Sequence, residues 1–305
     1  MMNDCITLSN GVEIPRIGFG SPIVLTYMYG NDSGMIIKAK YWTKNFLTNK
    51  RQFNLDRSIK PVLNKLGNVG CHMIDTSRAY AGSERCIGNM LRTKKRDDYF
   101  IITKLCNRDQ MSGDIRESLI RSLKELHTDY IDLYLMHWPV TNVFLDTWKT
   151  MEKMYSEGLC RAIGVANCNI HHLEEISQIA DVMPMVNQIE CHPLLTQNEL
   201  RAYCTANHIQ VMAYTPTARM DERLRKTKLA DIAAAHQKSM AQVILRWHTQ
   251  LGTIPVVNTG NVKHLKENFS IFDFSLSENE MQQISAININ SRLRYDPDNC
   301  DFSKL

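Results

Sequence analysis

The stretch "CHMIDTSRAY", residues 71–80, predicts a short buried strand that ends in an acid. Its apolar run stops at Asp75, and a phenol, Tyr80, follows five residues later. Seven other apolar runs of similar length are spread along the chain. The eight predicted strands cover residues 16–20, 71–75, 99–104, 131–137, 161–167, 184–190, 209–214 and 253–258.

Segments with helical spacing separate several of these strands. Apolar side chains at Ile115, Leu119, Ile120, Leu123 and Leu126 predict one helix over 112–127. Residues 144–158 show the same period, and residues 228–252 predict one or two helices. Strands that alternate with helices pair in parallel, so eight such units predict a (β/α)8 TIM barrel of the α/β class.

A doubly wound open sheet shows the same alternation of strands and helices. Such a sheet usually carries Gly-x-Gly-x-x-Gly after its first strand, and "GFGSPIV" lacks the last glycine, so the barrel is favoured. Before the first barrel strand, "TLSNGVEI" (7–14) predicts an Asn-Gly β-hairpin. We expect this hairpin to close the bottom, N-terminal end of a single domain that covers residues 1–305.

The composition excludes several classes of protein. No apolar run approaches the ~20 residues of a membrane helix, and no basic and apolar leader is visible at the N-terminus. The nine cysteines are scattered without a pair pattern, which predicts free thiols in the cytoplasm rather than disulfides or zinc. A net charge of +4 is too small to indicate nucleic acid by itself. We therefore expect no membrane, no nucleic acid and no metal.

Polar side chains stand at or near the ends of the predicted strands. The C-terminal ends of barrel strands converge on one site. These residues are Asp75, Tyr80, Lys104, His137, Asn167, Gln188, Tyr214 and Asn258. Each has a structural explanation when taken alone, such as a turn-forming acid, a structural histidine or a solvated lysine. An acid, a phenol, an ammonium and an imidazole at one mouth together favour a catalytic site.

The chemistry of this set indicates proton donation to a carbonyl group. No serine or cysteine lies in an elbow motif, and Lys104 would repel a metal ion held by Asp75 and His137. A lysine beside Tyr80 would stabilise the phenolate and lower its pKa, while Asp75 would hold that lysine. His137 could orient the carbonyl oxygen. Protonation of a carbonyl needs a hydride as its counterpart, which indicates a nicotinamide cofactor.

Seven motifs resemble those of the aldo-keto reductases, in the right order over nearly the whole chain. They are "GCHMIDTSRAYAGSERCIG" (70–88), "IITKL" (101–105), "LYLMHWP" (133–139), "GLCRAIGVAN" (158–167), "VNQIECHP" (186–193), "QVMAYTP" (210–216) and "KENFSIFDFSLS" (266–277). The resemblance implies a (β/α)8 barrel and an NAD(P)H-dependent reductase of aldehydes or ketones. It implies a catalytic tetrad of Asp75, Tyr80, Lys104 and His137, with Tyr80 as general acid.

The resemblance also implies which residues bind the cofactor and a small carbonyl substrate. Asn167 and Gln188 would hold the nicotinamide carboxamide, and Tyr214 would stack on its ring. Thr215 and Thr217 fall in the pyrophosphate-binding stretch, and Glu267 and Asn268 would meet the adenine. Trp138 would line the substrate pocket.

The chain departs from the family at the cofactor phosphate. Many members carry a Lys-Ser pair and a later arginine for the 2′-phosphate of NADP(H). This chain has Asn258, Thr259 and His264 there, groups without a fixed charge at neutral pH. Lys263 could compensate, so both NADP(H) and NAD(H) stay open. Ala166 replaces a usual serine, which removes one hydrogen bond near the carboxamide.

The largest departure is a basic insertion at about 21–53. Residues 31–60 hold seven basic and two acidic residues, interleaved with aromatics. The insertion is either a solvated surface segment or a lid whose charge favours anionic substrates or covers the cofactor phosphates. A second function class is also open: a non-catalytic regulatory or scaffold protein that binds the cofactor on the same fold.

Overall fold

The computed structural model of the protein describes residues 5–21, 59–80 and 82–304. The predicted basic insertion at 21–53 therefore lies outside the described residues, apart from Ser21. Helices and strands form wherever the sequence has the corresponding apolar period. The strands are β1 (Cys5–Thr7), β2 (Glu13–Pro15), β3 (Gly18–Gly20), β4 (Met73–Asp75), β5 (Phe100–Leu105), β6 (Leu133–Met136), β7 (Ile163–Ala166), β8 (Val186–Glu190), β9 (Gln210–Tyr214) and β10 (Ile254–Val257).

Eight of these strands close into a barrel in the order β10-β3-β4-β5-β6-β7-β8-β9. Every neighbouring pair is parallel, from β3 with β4 around to β10 with β3. The closed sheet confirms the predicted (β/α)8 barrel and excludes the open doubly wound sheet. Seven of the eight strands lie within their predicted segments, and β5 extends one residue past its segment, to Leu105.

The predicted hairpin is present as β1 and β2, which pair antiparallel. Its turn needs a left-handed residue, and Gly11 supplies it with φ +85°. The Asn10 amide donates to the backbone oxygen of Arg161 at 2.9 Å, just before β7 begins. This contact places the hairpin at the N-terminal end of the barrel, as expected.

Helices cover the outside of the barrel between its strands. They are α1 (59–63), α2 (Ser83–Leu91), α3 (Asn107–Ser112), α4 (Ile115–Leu126), α5 (Phe144–Ser156), α6 (Ile170–Ser177), α7 (Asn198–Ala206), α8 (Leu229–Ala235), α9 (Met240–Gln250), α10 (Val262–Phe269) and α11 (Glu278–Ser285). Short 3₁₀ turns occupy Gly67–Val69, Arg96–Asp98, Ala218–Met220, Glu222–Lys226 and Phe302–Lys304. The segment 228–252 forms two helices, because Ser239 caps a new helix with a reciprocal Gln242.

The apolar faces of strands and helices pack into one large cluster of buried side chains and two smaller ones. On α4, Ile115, Leu119, Leu123 and Leu126 are buried, whereas Ile120 is 42% exposed and does not belong to the buried face as predicted. Ile120 lies beyond the edge of the stripe that residues 115, 119, 123 and 126 form. All nine cysteines lie in described residues, and none of them forms a disulfide. Among the described helices, none is long and apolar enough to cross a bilayer.

Candidate functional site

A buried ion pair lies at the C-terminal end of β4 and β5. Lys104 Nζ donates to both carboxylate oxygens of Asp75, at 2.6 and 2.7 Å, and to the backbone oxygen of Thr76 at 2.9 Å. The side chains of Lys104 and Asp75 are only 1% and 6% exposed. The amide of Gln188, within β8, donates to Asp75 Oδ1 at 3.0 Å. Side chains of three strands, β4, β5 and β8, therefore meet at the carboxylate of Asp75.

A second hydrogen-bonded chain runs from β6 to β9 along the same end of the barrel. His137 follows β6, and its Nδ1 lies 3.3 Å from Ser77 Oγ, which also accepts the N–H of Ala79 at 3.1 Å. Asn167, just after β7, donates to the backbone oxygen of His137 at 2.9 Å. The phenol of Tyr214, the last residue of β9, donates to Asn167 Oδ1 at 2.7 Å. The structure thus brings together strand-end residues that are far apart in sequence.

Tyr80 lies between these two groups. Its ring meets the ring of His137 edge to face, with centroids 5.8 Å apart. Lys104 Nζ lies 5.3 Å from the centroid of the same ring. Tyr80 and His137 are only partly buried, unlike Lys104, so they face the open mouth of the barrel. The four residues predicted as a tetrad are therefore neighbours, and Tyr80 and His137 are the two that keep partial solvent exposure.

The pKa of Tyr80 differs from the expectation drawn from the sequence. Burial, and then the charge of Asp75, raise the pKa of Tyr80, so its proton is held rather than released. We expected Lys104 to lower this pKa. The lysine charge is instead compensated by both oxygens of Asp75, and burial also lowers the pKa of Lys104 itself. Burial and the charges of Lys104 and Arg294 lower the pKa of His137 to about 3, so its imidazole is neutral.

Trp138, predicted to line the substrate pocket, follows His137 directly. Its side chain is 7% exposed, and its ring meets the ring of Phe302 at a centroid distance of 6.3 Å. Its backbone oxygen accepts the amide of Gln110 at 3.2 Å. The amide of Asn107 donates to the backbone oxygen of Phe302 at 3.2 Å. Residues near the C-terminus therefore join the wall to which Trp138 belongs.

The residues predicted for the cofactor phosphates follow β9 and β10. Thr215 has φ +51°, and Thr217 precedes a 3₁₀ turn, so the backbone bends sharply after Tyr214. The side chain of Asn258 donates to the backbone oxygen of Gly20 at 3.0 Å and ties β10 to β3. Thr259 Oγ1 accepts the backbone N–H of Asn261 at 3.0 Å, which starts the turn into α10. These contacts support the loop backbone.

Helix α10 carries the remaining predicted cofactor residues. His264 is exposed, and Glu267 and Asn268 are partly buried. Lys263 is 81% exposed and lies 4.0 Å from Glu267, a weak surface contact. Within the described part of the chain, no hydrogen bond joins this helix to Tyr214 or Asn167. The binding roles predicted for this second group therefore stay predictions.

Sequence reasoning missed a clamp on the C-terminal strap, which we define as residues 286–304. Glu190 ends β8, and its buried carboxylate accepts the backbone N–H groups of Leu293 at 2.6 Å and Arg294 at 3.2 Å. His192 Nε2 lies 3.0 Å from the same carboxylate. Glu190 lies two residues after Gln188, so the strap is fixed beside the site. The strap has no apolar period, and nothing in its sequence indicates this position.

One group of metal-capable side chains also lies at this end of the barrel, within the described part of the chain. It consists of His171, His172 and Asp298, whose ligand atoms lie within 4.8 Å of one another. His172 Nδ1 accepts the backbone N–H of Asn169 at 3.1 Å. A neutral His172 must then carry its proton on Nε2, the nitrogen nearest Asp298. This tautomer opposes metal binding, and the cluster instead joins α6 to the strap.

Comparisons with known proteins agree with this geometry. The family model described as "Aldo/keto reductase family" matches residues 43–289. The chain is 38% identical to the glyoxal reductase of Bacillus subtilis (strain 168) over 302 residues, which cover 99% of both chains. A crystal structure of MGS-M4, an aldo-keto reductase enzyme from a Medee basin deep-sea metagenome library, superimposes with a TM-score of 0.82. It is 30% identical and covers 97% of this chain and 99% of its own.

A Bombyx mori aldo-keto reductase solved in complex with NADP is also similar. Its TM-score is 0.78 at 28% identity, over 96% of this chain and 95% of its own. The family match, the near-complete alignment with a named reductase and the shared barrel all lead to one conclusion. This chain belongs to the aldo/keto reductase family.

Proposed function

We propose that the protein is an NAD(P)H-dependent reductase that converts an aldehyde or ketone to an alcohol, with Tyr80 as the general acid. The observation that carries this proposal is the position of the Tyr80 phenol. It lies at the open mouth, between the ring of His137 and the buried Lys104–Asp75 pair. A proton donor, a neutral imidazole and a fixed cation around one point suit the polarisation and protonation of a carbonyl oxygen.

Tyr80 would give its proton to the carbonyl oxygen as negative charge develops there. Its raised pKa keeps the phenol protonated at neutral pH, so the acid is in the correct state before reaction. Lys104 would place a cation 5.3 Å from the ring centroid, and Asp75, which binds that cation, would weaken its effect on the phenolate that remains. Asp75 would hold that ammonium in place through both oxygens.

His137 would orient the carbonyl oxygen as a neutral donor. Ser77 Oγ accepts a hydrogen bond from the backbone of Ala79, so its own proton is available for His137 Nδ1. We therefore assign the imidazole proton to Nε2, which bonds to no described residue. A pKa of about 3 keeps this tautomer uncharged over the physiological range. The substrate oxygen would then meet two donors, Nε2–H of His137 and the phenol of Tyr80.

The polar and aromatic side chains at the same mouth match the groups that a nicotinamide cofactor would present. Gln188 uses its amide nitrogen on Asp75, and its Oε1 accepts no hydrogen bond from the described residues, which suits a carboxamide N–H. Asn167 lies beside it, and the partly exposed ring of Tyr214 offers a stacking surface. The bound nicotinamide would supply the hydride. The sharp backbone turn at Thr215 and Thr217 would follow the pyrophosphate, and Trp138 would form part of the substrate wall.

The preference between the two nicotinamide cofactors follows from the residues after β10. Asn258, Thr259 and His264 provide no fixed positive charge for a 2′-phosphate, and Lys263 is largely exposed. We therefore propose that NADH and NADPH bind with similar affinity. In this arrangement Glu267 and Asn268 would contact the adenine, which both cofactors share. A relative solved with NADP shows that this fold accepts the phosphorylated form in another protein.

The second candidate, a non-catalytic protein that binds the cofactor, would not require a protonated phenol beside a buried lysine. The test is the decay of cofactor absorbance at 340 nm with glyoxal and a panel of aldehydes and ketones. We expect turnover with NADPH, NADH or both. Cofactor binding in a direct titration, together with no turnover of any carbonyl, would reject the reductase and favour the binding protein.

A further inference from the structure

The side chains of the two arginines of the C-terminal strap, Arg292 and Arg294, form no hydrogen bond or ion pair with any described residue, whereas its acids do. Within the strap, the carboxylate of Asp296 accepts hydrogen bonds from the amide of Asn299 and from the N–H of residue 298. The carboxylate of Asp298 accepts one from the amide of Asn169. By contrast, among the residues that the structure describes, no side chain forms an ion pair or hydrogen bond with the guanidinium of Arg294. A guanidinium that is partly buried and unpaired is an unusual feature of a folded surface, because its five donors prefer an oxyanion.

Arg294 is held at the mouth by contacts to its backbone rather than to its side chain. The carboxylate of Glu190 accepts its N–H at 3.2 Å and that of Leu293 at 2.6 Å. The strap is further fixed where Ser291 donates to the backbone oxygen of Leu194 at 3.0 Å and accepts Arg223. These contacts fix the starting point of the Arg294 side chain beside β8, yet they leave the guanidinium free for a ligand.

The charge of Arg294 acts on three residues of the site at once. It lowers the pKa of His137 and opposes the rise in the pKa of Tyr80 and of Tyr214. Arg292, two residues earlier, acts on Tyr214 alone among these three. The effects of Arg294 agree with the position of its backbone, which Glu190 binds at the end of β8, two residues after Gln188 of the site.

Resting on the proposed carbonyl reduction, we infer that Arg294 is a specificity-determining residue that binds the oxyanion of a carbonyl substrate. The substrate class is an aldehyde or ketone that also carries a carboxylate or a phosphate. A guanidinium binds either group through two parallel hydrogen bonds. The two described carboxylates near the site have other partners: Asp75 binds Lys104 and Gln188, and Glu190 binds two backbone N–H groups and lies beside His192. The binding would orient the carbonyl toward Tyr80 and His137 from the opposite end of the substrate.

The experiment compares matched substrates that differ in one charge. The first pair is 4-carboxybenzaldehyde and its neutral methyl ester, and the second is glyceraldehyde 3-phosphate and glyceraldehyde. We expect Arg294→Gln to lower kcat/KM for the anionic member of at least one pair by about 10- to 100-fold, mostly through KM. The neutral member should change by less than about 3-fold, and Arg294→Lys should restore part of the loss. The pair that responds identifies the oxyanion.

Arg292→Gln is the matched control, because it removes the same charge from the same strap two residues away. It should change neither pair by more than about 3-fold, and the Kd of NADPH should be unchanged in both variants. Equal losses on charged and neutral members, equal effects of the two variants, or weaker cofactor binding alone would overturn the inference. A wild type that reduces none of the four compounds would instead count against the proposed function itself.

Discussion

Asp75 binds Lys104 through both of its carboxylate oxygens, and neither side chain is more than 6% exposed. This pair joins β4 to β5 directly below the ring of Tyr80. Taking two charges out of water is costly, and the pair is tolerated because each charge is the partner of the other. Gln188, on β8, donates to the same carboxylate, so the ion pair connects side chains of three strands at the mouth.

Removal of one partner should therefore destabilise the fold strongly. Asp75→Asn leaves the buried ammonium without its counter-charge, and we expect a loss of about 3–5 kcal/mol in the free energy of unfolding. The double variant Asp75→Asn with Lys104→Met should recover much of this loss, because no unpaired charge remains. Urea unfolding of the three proteins measures both values. An Asp75→Asn variant within about 1 kcal/mol of the wild type would show that the pair is not coupled in this way.

The cofactor preference should depend on the residues after β10. We expect the Kd values of NADPH and NADH to differ little in the wild type, and Asn258→Lys with His264→Arg to favour NADPH. Each new charge-assisted contact should contribute about 1.5–3 kcal/mol. Fluorescence titration with both cofactors measures the ratio. Because Asn258 also holds Gly20, the thermal stability of the variant should be recorded alongside.

A charge-matched control separates local contacts from the general rise in positive charge. Asn279→Lys with Gln282→Lys adds two cations at exposed positions on α11, as many as the test variant adds, and should leave the NADPH/NADH ratio unchanged. A wild type that binds NADPH several hundredfold more tightly than NADH would contradict the prediction. In that case Lys263→Ala would be expected to abolish the preference.

His248 should make stability depend on pH. It is buried in α9, between the backbone oxygen of Pro216 and Thr253, and burial lowers its pKa to about 3. The unfolded chain, with a pKa near ~6.5, binds the extra proton, so stability is full above that value and falls as the pH is lowered. Between pH 7 and pH 5 this histidine should remove about 2 kcal/mol from the free energy of unfolding.

The measurement is urea unfolding of wild type and His248→Gln across this pH range. The variant should show a flatter dependence, whatever its stability at pH 7. His208→Asn, at an exposed position, should keep the slope of the wild type. Equal slopes for the wild type and His248→Gln would mean that His248 is not the group responsible.

The barrel, and the proximity of the four residues proposed as a tetrad, could be predicted from sequence because their signals are local. Each strand is a short apolar run, and a polar residue at its C-terminal end must face the mouth of a barrel. Asp75 and His137 were placed in this way, and Ile120 was misassigned because a helix stripe has an uncertain edge. The rise in the pKa of Tyr80 depends on its burial and on how closely Asp75 binds Lys104. The spacing of residues in the sequence indicates neither.

The role of the C-terminal strap could not be predicted for a different reason. Its backbone is irregular, so no period indicates which residues turn inward. Arg294 reaches the mouth because Glu190, more than one hundred residues earlier, accepts its backbone N–H. The sequence suggested an anionic substrate only from the insertion at 21–53, which lies outside the described residues. The structure instead fixes the backbone of Arg294 beside the site, through Glu190.

The central claim is that Tyr80 donates the proton, and Tyr80→Phe tests it most directly. The substitution removes the phenol oxygen and keeps the ring that packs against His137, so the fold and the Kd of NADPH should be unchanged. The measurement is kcat for glyoxal reduction, followed at 340 nm with saturating NADPH. The account predicts a fall of at least ~10²-fold. A Tyr80→Phe variant that reduces glyoxal at nearly the wild-type rate would contradict it.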